Sequence, residues 1–159
     1  VTGLRAITVR PPYSWAIAVG AKTTENRGRE VYWDGEFAVH AGAATHPDGE
    51  RDSRILNLLN VHGTQDFARG AILAVAELVD CHQAAADGFD PCCSPWGMHT
   101  YNGRPAWHLG LANIRRLAVP VPCRGQLSVG WRVPADIEAA VRRQLTGITY
   151  SPAEGGIHV

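Results

Sequence analysis

Ile7-Thr8-Val9-Arg10-Pro11-Pro12-Tyr13-Ser14-Trp15-Ala16-Ile17-Ala18-Val19-Gly20, followed by Ala21-Lys22-Thr23-Thr24-Glu25-Asn26-Arg27, is the stretch on which the architecture of this chain turns. Residues 7–10 alternate in polarity and read as a first strand. Pro11-Pro12 closes it, and Pro12 suits the first position of a helix, where its missing N–H would have no partner anyway. The predicted helix runs over 12–19. Tyr13 and Ile17 share one face, Trp15 and Val19 another, and Gly20 supplies a left-handed stop. Lys22 therefore follows a helix C-terminus, whose partial negative charge favours a cation. It is the only lysine among fifteen basic residues. An ammonium, unlike a guanidinium, is compact, rotates its donors and gives up a proton when buried.

Working outward, an extended chain from Thr24 puts Glu25 and Arg27 on one face and Asn26 on the other. Residues 30–41, with Val31, Trp33, Phe37 and Val39 around a turn at Asp34-Gly35, read as strand. The stretch 43–52 is turn-rich, and Asp52 or Ser53 caps a helix carrying Ile55, Leu56, Leu58 and Leu59. Residues 70–81 form an apolar run interrupted by Glu77 and read as a central strand. After an irregular stretch over 81–102, strand resumes over 104–114. Pro120 and Pro122 mark an edge strand or connector, 126–133 is a further strand, and Pro134 opens a helix over 135–145 that buries Ile137, Val141 and Leu145. Five to seven short strands with two or three helices, without strict βαβ alternation, predict an α+β fold: a small mixed β-barrel flanked by helices. A single domain is expected over 1–145, with a flexible tail over 146–159.

A chain of 159 residues, 45% apolar and 19% charged, is an ordinary globular composition. Zero formal net charge argues against a protein that coats long duplexes and leaves room for a local pocket that takes one nucleotide or a small molecule. No apolar run is long enough to span a bilayer, and the first residues lack signal-peptide features, so a cytoplasmic location with no membrane partner is expected. Cys81, Cys92, Cys93 and Cys123 show no C-x-x-C spacing. A zinc set of Cys81, His82, Cys92, Cys93 and His99 has suitable ligand types but not the paired spacing of structural sites. The expectation is free, partly buried thiols, no metal and no cofactor.

The segment 7–17 followed by Gly20-x-Lys22-x-x-Glu25-x-Arg27 resembles the ASCH domain, a branch of the PUA-like superfamily, whose G-x-K-x-x-E-x-R signature it matches at all four positions. His40-Ala41-Gly42, the strand around 75–79, and Trp107 through Trp131 are also similar, so the resemblance covers about residues 4–135. It departs where many members carry Gln-Pro-Trp and this chain has Pro11-Pro12-Tyr13. The resemblance implies a PUA-like barrel with a cleft beside the first helix and a role in binding RNA. Some members are hydrolases: one group deacetylates N4-acetylcytidine with a Lys, a Thr and a Glu, and another cleaves RNA. The Lys of the first group corresponds to Lys22, but its Thr falls at Glu25.

A carboxylate, a guanidinium and an ammonium lining one pocket can read a base edge: Glu25 accepts from an exocyclic amine and Arg27 holds a carbonyl or phosphate. Tyr13, Trp15 or Trp33 would supply a stacking surface. Arg10, Ser14 and His40 complete the candidate ligand-binding set with Tyr13, Trp15, Lys22, Glu25 and Arg27, and RNA or a modified nucleoside is the expected partner. An amidohydrolase or ribonuclease would use Lys22 and Glu25, with Thr23 or Thr24 donating to the oxyanion. Glu77 and His108 are lesser candidates. A third reading makes the motif a brace inside a protein-interaction domain, with Glu25–Arg27 a structural ion pair.

Overall fold

The alternating segment at the start becomes the strand β1, Arg5–Val9, in a computed structural model that describes residues 3–85 and 92–146. The helix α1 follows as Tyr13–Ala18, with Pro12 at its N-cap. Gly20 stops it at φ +83°, a conformation that costs glycine little. Four residues later the chain enters β2, Thr24–Arg27. Then come β3, Gly35–Ala41, α2, Ser53–His62, and β4, Ala71–Gln83. A two-residue Asn102-Gly103 turn, both at positive φ, joins β5, Thr100–Tyr101, to β6, Arg104–Pro105, as expected of an Asn-Gly hairpin. The long strand β7, Trp107–Pro122, is followed by β8, Trp131–Arg132, and α3, Ala135–Thr146.

The main sheet has the order β2-β7-β4-β3-β1-β8, with β1 parallel to β3 and the other pairs antiparallel. The fold is thus mixed α+β with three helices, but the expected barrel is not closed. β2 pairs only with the first four residues of β7, and β8 contributes two residues, too little ladder to meet across the gap. A side chain spans it instead: Arg27 Nη2 donates to Thr8 O of β1 at 2.8 Å.

Three further expectations are corrected. Residues 30–34 are not strand; β3 begins at Gly35, the second residue of the predicted turn. Of 126–133 only Trp131 and Arg132 pair. The irregular region begins later than expected, because β4 continues through His82 and Gln83. Pro120 and Pro122 lie inside β7, which is bordered there by β4 alone; their missing N–H groups fall where one side of the strand has no ladder. The tail expected over 146–159 lies, beyond Thr146, outside the described residues.

Alternation along the strands sorts the core into two layers. Ile7, Val9, Phe37, Val39, Leu73 and Leu109 pack beneath Ile17 of α1. Ala6, Ala38, Ile72, Val75 and Leu117 pack with Val141 of α3. Glu36 ties α3 to the sheet through Arg115 and Arg142, each at 2.5 Å. A third cluster joins Trp15 and Ala16 to Ile55 of α2 and to Trp96. Among the described residues no helix is long and apolar enough to cross a membrane.

Candidate functional site

The residues after α1 form a buried charge cluster. Lys22 is 4% exposed; its Nζ donates to the carbonyl of Thr24 and lies 3.4 Å from Glu25 Oε2. Glu25 Oε1 accepts from Asn26 N at 2.9 Å and lies 4.0 Å from Arg27 Nε. Glu25 and Arg27 therefore share one face of β2, as the alternation predicts. Burial pulls the Lys22 amine below its ordinary value, Glu25 opposes this, and Arg27 and Arg54 reinforce it. Burial acts on Glu25 in the opposite sense, but Lys22, Arg27 and the Asn26 amide together hold its carboxyl below the usual range.

Thr24 and Asn26 occupy the other face and are buried. Asn26 fastens the 92–98 turn: Nδ2 donates to Trp96 O at 2.9 Å, and Oδ1 accepts from Met98 N at 2.8 Å. Trp96 covers the charge cluster. Its Nε1 donates to Ala21 O at 3.1 Å, its ring lies 5.9 Å from Lys22 Nζ, and Arg54 stacks on it at 4.6 Å. Sequence reasoning missed Trp96 and Arg54, because both reach the site from distant segments. The nearest signal was Asp52, read only as a helix cap.

Asp52 does cap α2, accepting from Arg54 N at 2.9 Å. It also accepts from Tyr13 Oη at 2.7 Å and pairs with Arg54 Nη2 at 2.6 Å. The bonds from Arg54 lead in lowering its carboxyl from 3.8 to about 2, while burial and the facing carboxylate push the Tyr13 hydroxyl up to about 12. A folded value below the unfolded one means that Asp52 contributes fully above the unfolded pKa, and that the contribution is lost as pH falls through the folded one. In urea denaturation the stability gap between wild type and Asp52→Asn is expected to shrink as pH falls from neutrality towards 2. A gap that does not change with pH would refute this.

The remaining candidates scatter. Arg10 is exposed. Ser14 is fully buried, and its Oγ has no hydrogen-bond partner among the described residues. Trp15 is core, packed against Phe67, and Trp33 stacks under Arg5 at 5.2 Å. Thr23 is exposed and Thr24 is buried. Glu77, midway along β4, accepts from Asn113 at 3.1 Å.

His40 sits in a network of its own: Trp131 Nε1 donates to Thr8 Oγ1, which bonds His40 Nδ1 at 3.1 Å, while His40 Nε2 meets Cys123 O at 2.7 Å. Burial lowers its pKa, in keeping with a neutral structural imidazole. The structure thus brings Lys22, Glu25 and Arg27 together, sets Tyr13 beside them only through Trp96, and leaves Trp15, Trp33 and His40 in the packing.

The cysteines and histidines considered for zinc also regroup. Cys81 accepts from Val31 N, whereas His82, Cys92 and Cys93 converge with His108. No protein-family model matches the chain, and no curated protein matches it.

Proposed function

We propose that the chain is an ASCH-like module whose Lys22–Glu25–Arg27 cluster recognises RNA or a modified nucleoside. The observation that carries this reading is the contact of that cluster with the wall formed by Tyr13, Trp96 and Arg54. The three cluster charges sum to +1 and the adjoining Asp52–Arg54 pair to zero, a balance suited to one anionic group such as a phosphate. Arg27 and Arg54, whose side chains are 19% and 36% exposed, are the groups a ligand meets first. Lys22 acts from beneath by keeping Glu25 ionised as an acceptor for an exocyclic amine.

A second reading, hydrolysis of an N4-acylated cytidine or related amide, is favoured by one observation: burial draws the Lys22 amine towards the range where it can exchange a proton. Against it, the position that carries the threonine in the deacetylating group holds Glu25.

Incubation with short RNAs and with N4-acyl, thio and methyl nucleosides separates these readings, with binding followed by thermal shift and turnover by chromatography. Binding should raise the melting temperature of wild type, and Lys22→Arg should weaken it about tenfold, the equivalent of about 1.4 kcal/mol, without loss of fold. Acid release that vanishes in Lys22→Ala would establish the hydrolase instead. No thermal shift and no product with any probe would overturn both.

A further inference from the structure

We propose that His82, Cys92, Cys93 and His108 form a tetrahedral zinc site that clips the 92–98 turn onto the sheet. One ligand atom from each lies within 4.8 Å of all the others. Cys92 Sγ is 3.5 Å from His82 Nε2 and 3.3 Å from His108 Nδ1, and Cys93 Sγ is 3.4 Å from His82 Nε2. With Zn–S of about 2.3 Å and Zn–N of about 2.0–2.1 Å, the sulfur–nitrogen edge of a tetrahedron is about 3.5 Å. The three spacings match that edge.

Each element contributes for a physical reason. His82 of β4 and His108 of β7 are directly opposed in the antiparallel register, so their rings leave the sheet on the same face. Neighbouring residues in extended chain point apart, yet here both thiols reach the same histidine. Cys93 adopts φ +64°, a left-handed turn unusual for a residue with a Cβ, and it swings the second sulfur round beside the first. Gly97 makes the closure possible, since a Cβ there would lie 2.2 Å from Cys92 O and 2.8 Å from His108 Cε1.

The outer contacts supply an independent observation. His82 Nδ1 meets Asp80 Oδ2 at 2.5 Å, and His108 Nε2 meets Met98 O at 2.7 Å. Both partners are acceptors, so those nitrogens carry the protons, and in the neutral rings His82 Nε2 and His108 Nδ1 present their lone pairs to the thiols. Histidine ligands of zinc are oriented in this way, by a carboxylate or a backbone carbonyl on the second nitrogen. Two thiolates and two neutral imidazoles select zinc over harder cations. Binding releases the two thiol protons to solvent and leaves a neutral complex, which suits a site walled by the fully buried His108. With all four ligands from the chain, the site is structural. What it holds is the turn bearing Trp96, the lid over Lys22.

The full chain, purified without chelator, is expected to carry one zinc per molecule. Metal-stripped protein titrated with Co(II) should develop the visible bands of a tetrahedral ion and a thiolate charge-transfer band. A Cys92→Ser/Cys93→Ser double variant should lose both, Cys81→Ser neither. Should the double variant fail to fold, Asp80→Ala decides: it leaves every ligand in place and should weaken the metal about 10- to 100-fold. Wild type that takes up neither metal, undiminished uptake by a folded double variant, unaltered affinity in Asp80→Ala, or a Cys92–Cys93 disulfide in the purified protein would each overturn the proposal.

Discussion

Glu25→Gln is expected to lower the unfolding free energy by about 3–5 kcal/mol at neutral pH, the cost of stranding a buried charge by removing its partner. Lys22 and Glu25 keep only 5% and 12% of their side-chain surface in water, so solvent offers little screening. The carboxylate also accepts from Asn26 N and faces Arg27, leaving the variant with two facing cations and no anion between them. The loss should shrink at alkaline pH. Without Glu25 the Lys22 amine is lowered further, and as pH rises through its folded value the lysine sheds its proton and the repulsion goes. Chemical denaturation across pH measures both effects. If the pair is mainly a brace, Lys22→Met/Glu25→Leu should recover most of the loss, because an apolar pair of similar volume replaces a buried ion pair at little cost. A loss below about 1 kcal/mol in Glu25→Gln, within the range of surface pairs, would show that the two charges are solvated.

Trp96→Ala is expected to be equally damaging, at about 3–5 kcal/mol, as for other large aromatic truncations in cores. The indole is 6% exposed, packs on Trp15, Ala16 and Ile55, and bonds Ala21 O. Its loss opens a cavity between α1 and α2 and removes the surface on which Lys22 and Arg54 lie. Trp96→Phe keeps most of the packing and forfeits the indole hydrogen bond, worth about 0.5–1.5 kcal/mol. Equilibrium unfolding of the two variants distinguishes these terms: equal losses would mean that the N–H bond, and not the packing, secures the turn. In the ligand assay Trp96→Ala should also abolish any thermal shift that depends on Lys22.

The local features of this chain were legible in its sequence because each is fixed within a few residues. The strand–helix–Gly20 entry, a helix cap at Asp52 or Ser53, the long strand around Ile72 and Val75, and the shared face of Glu25 and Arg27 all follow from periodicity and backbone preference. The closure of the sheet did not follow, because it depends on how much ladder β2 and β8 can offer at opposite edges. The Trp33 stretch read as strand from its alternation, yet tertiary packing puts that indole under Arg5 and beside Gly130. The candidate site was half visible. Lys22, Glu25 and Arg27 are neighbours in sequence, whereas Trp96 and Arg54 arrive through the third core cluster. The pairing of His82 with His108 is a matter of β4–β7 register, and C-C adjacency hid two sulfurs that converge only because Cys93 turns left-handed.

The capped amide of Asn26 has a bearing on how the protein behaves in concentrated solution. An open sheet ends in strands that invite a neighbouring molecule to add its own, the first step of edge-to-edge polymerisation. At the β2 margin the Asn26 N–H is already taken by Glu25 Oε1, and the Arg27 guanidinium lies across the gap to Thr8. An intruding chain would meet an occupied donor and a charged barrier. The carboxylate that neutralises Lys22 thus also guards the molecule against its own kind, and because its proton affinity is held low, that guard outlasts an ordinary glutamate as the solution is acidified.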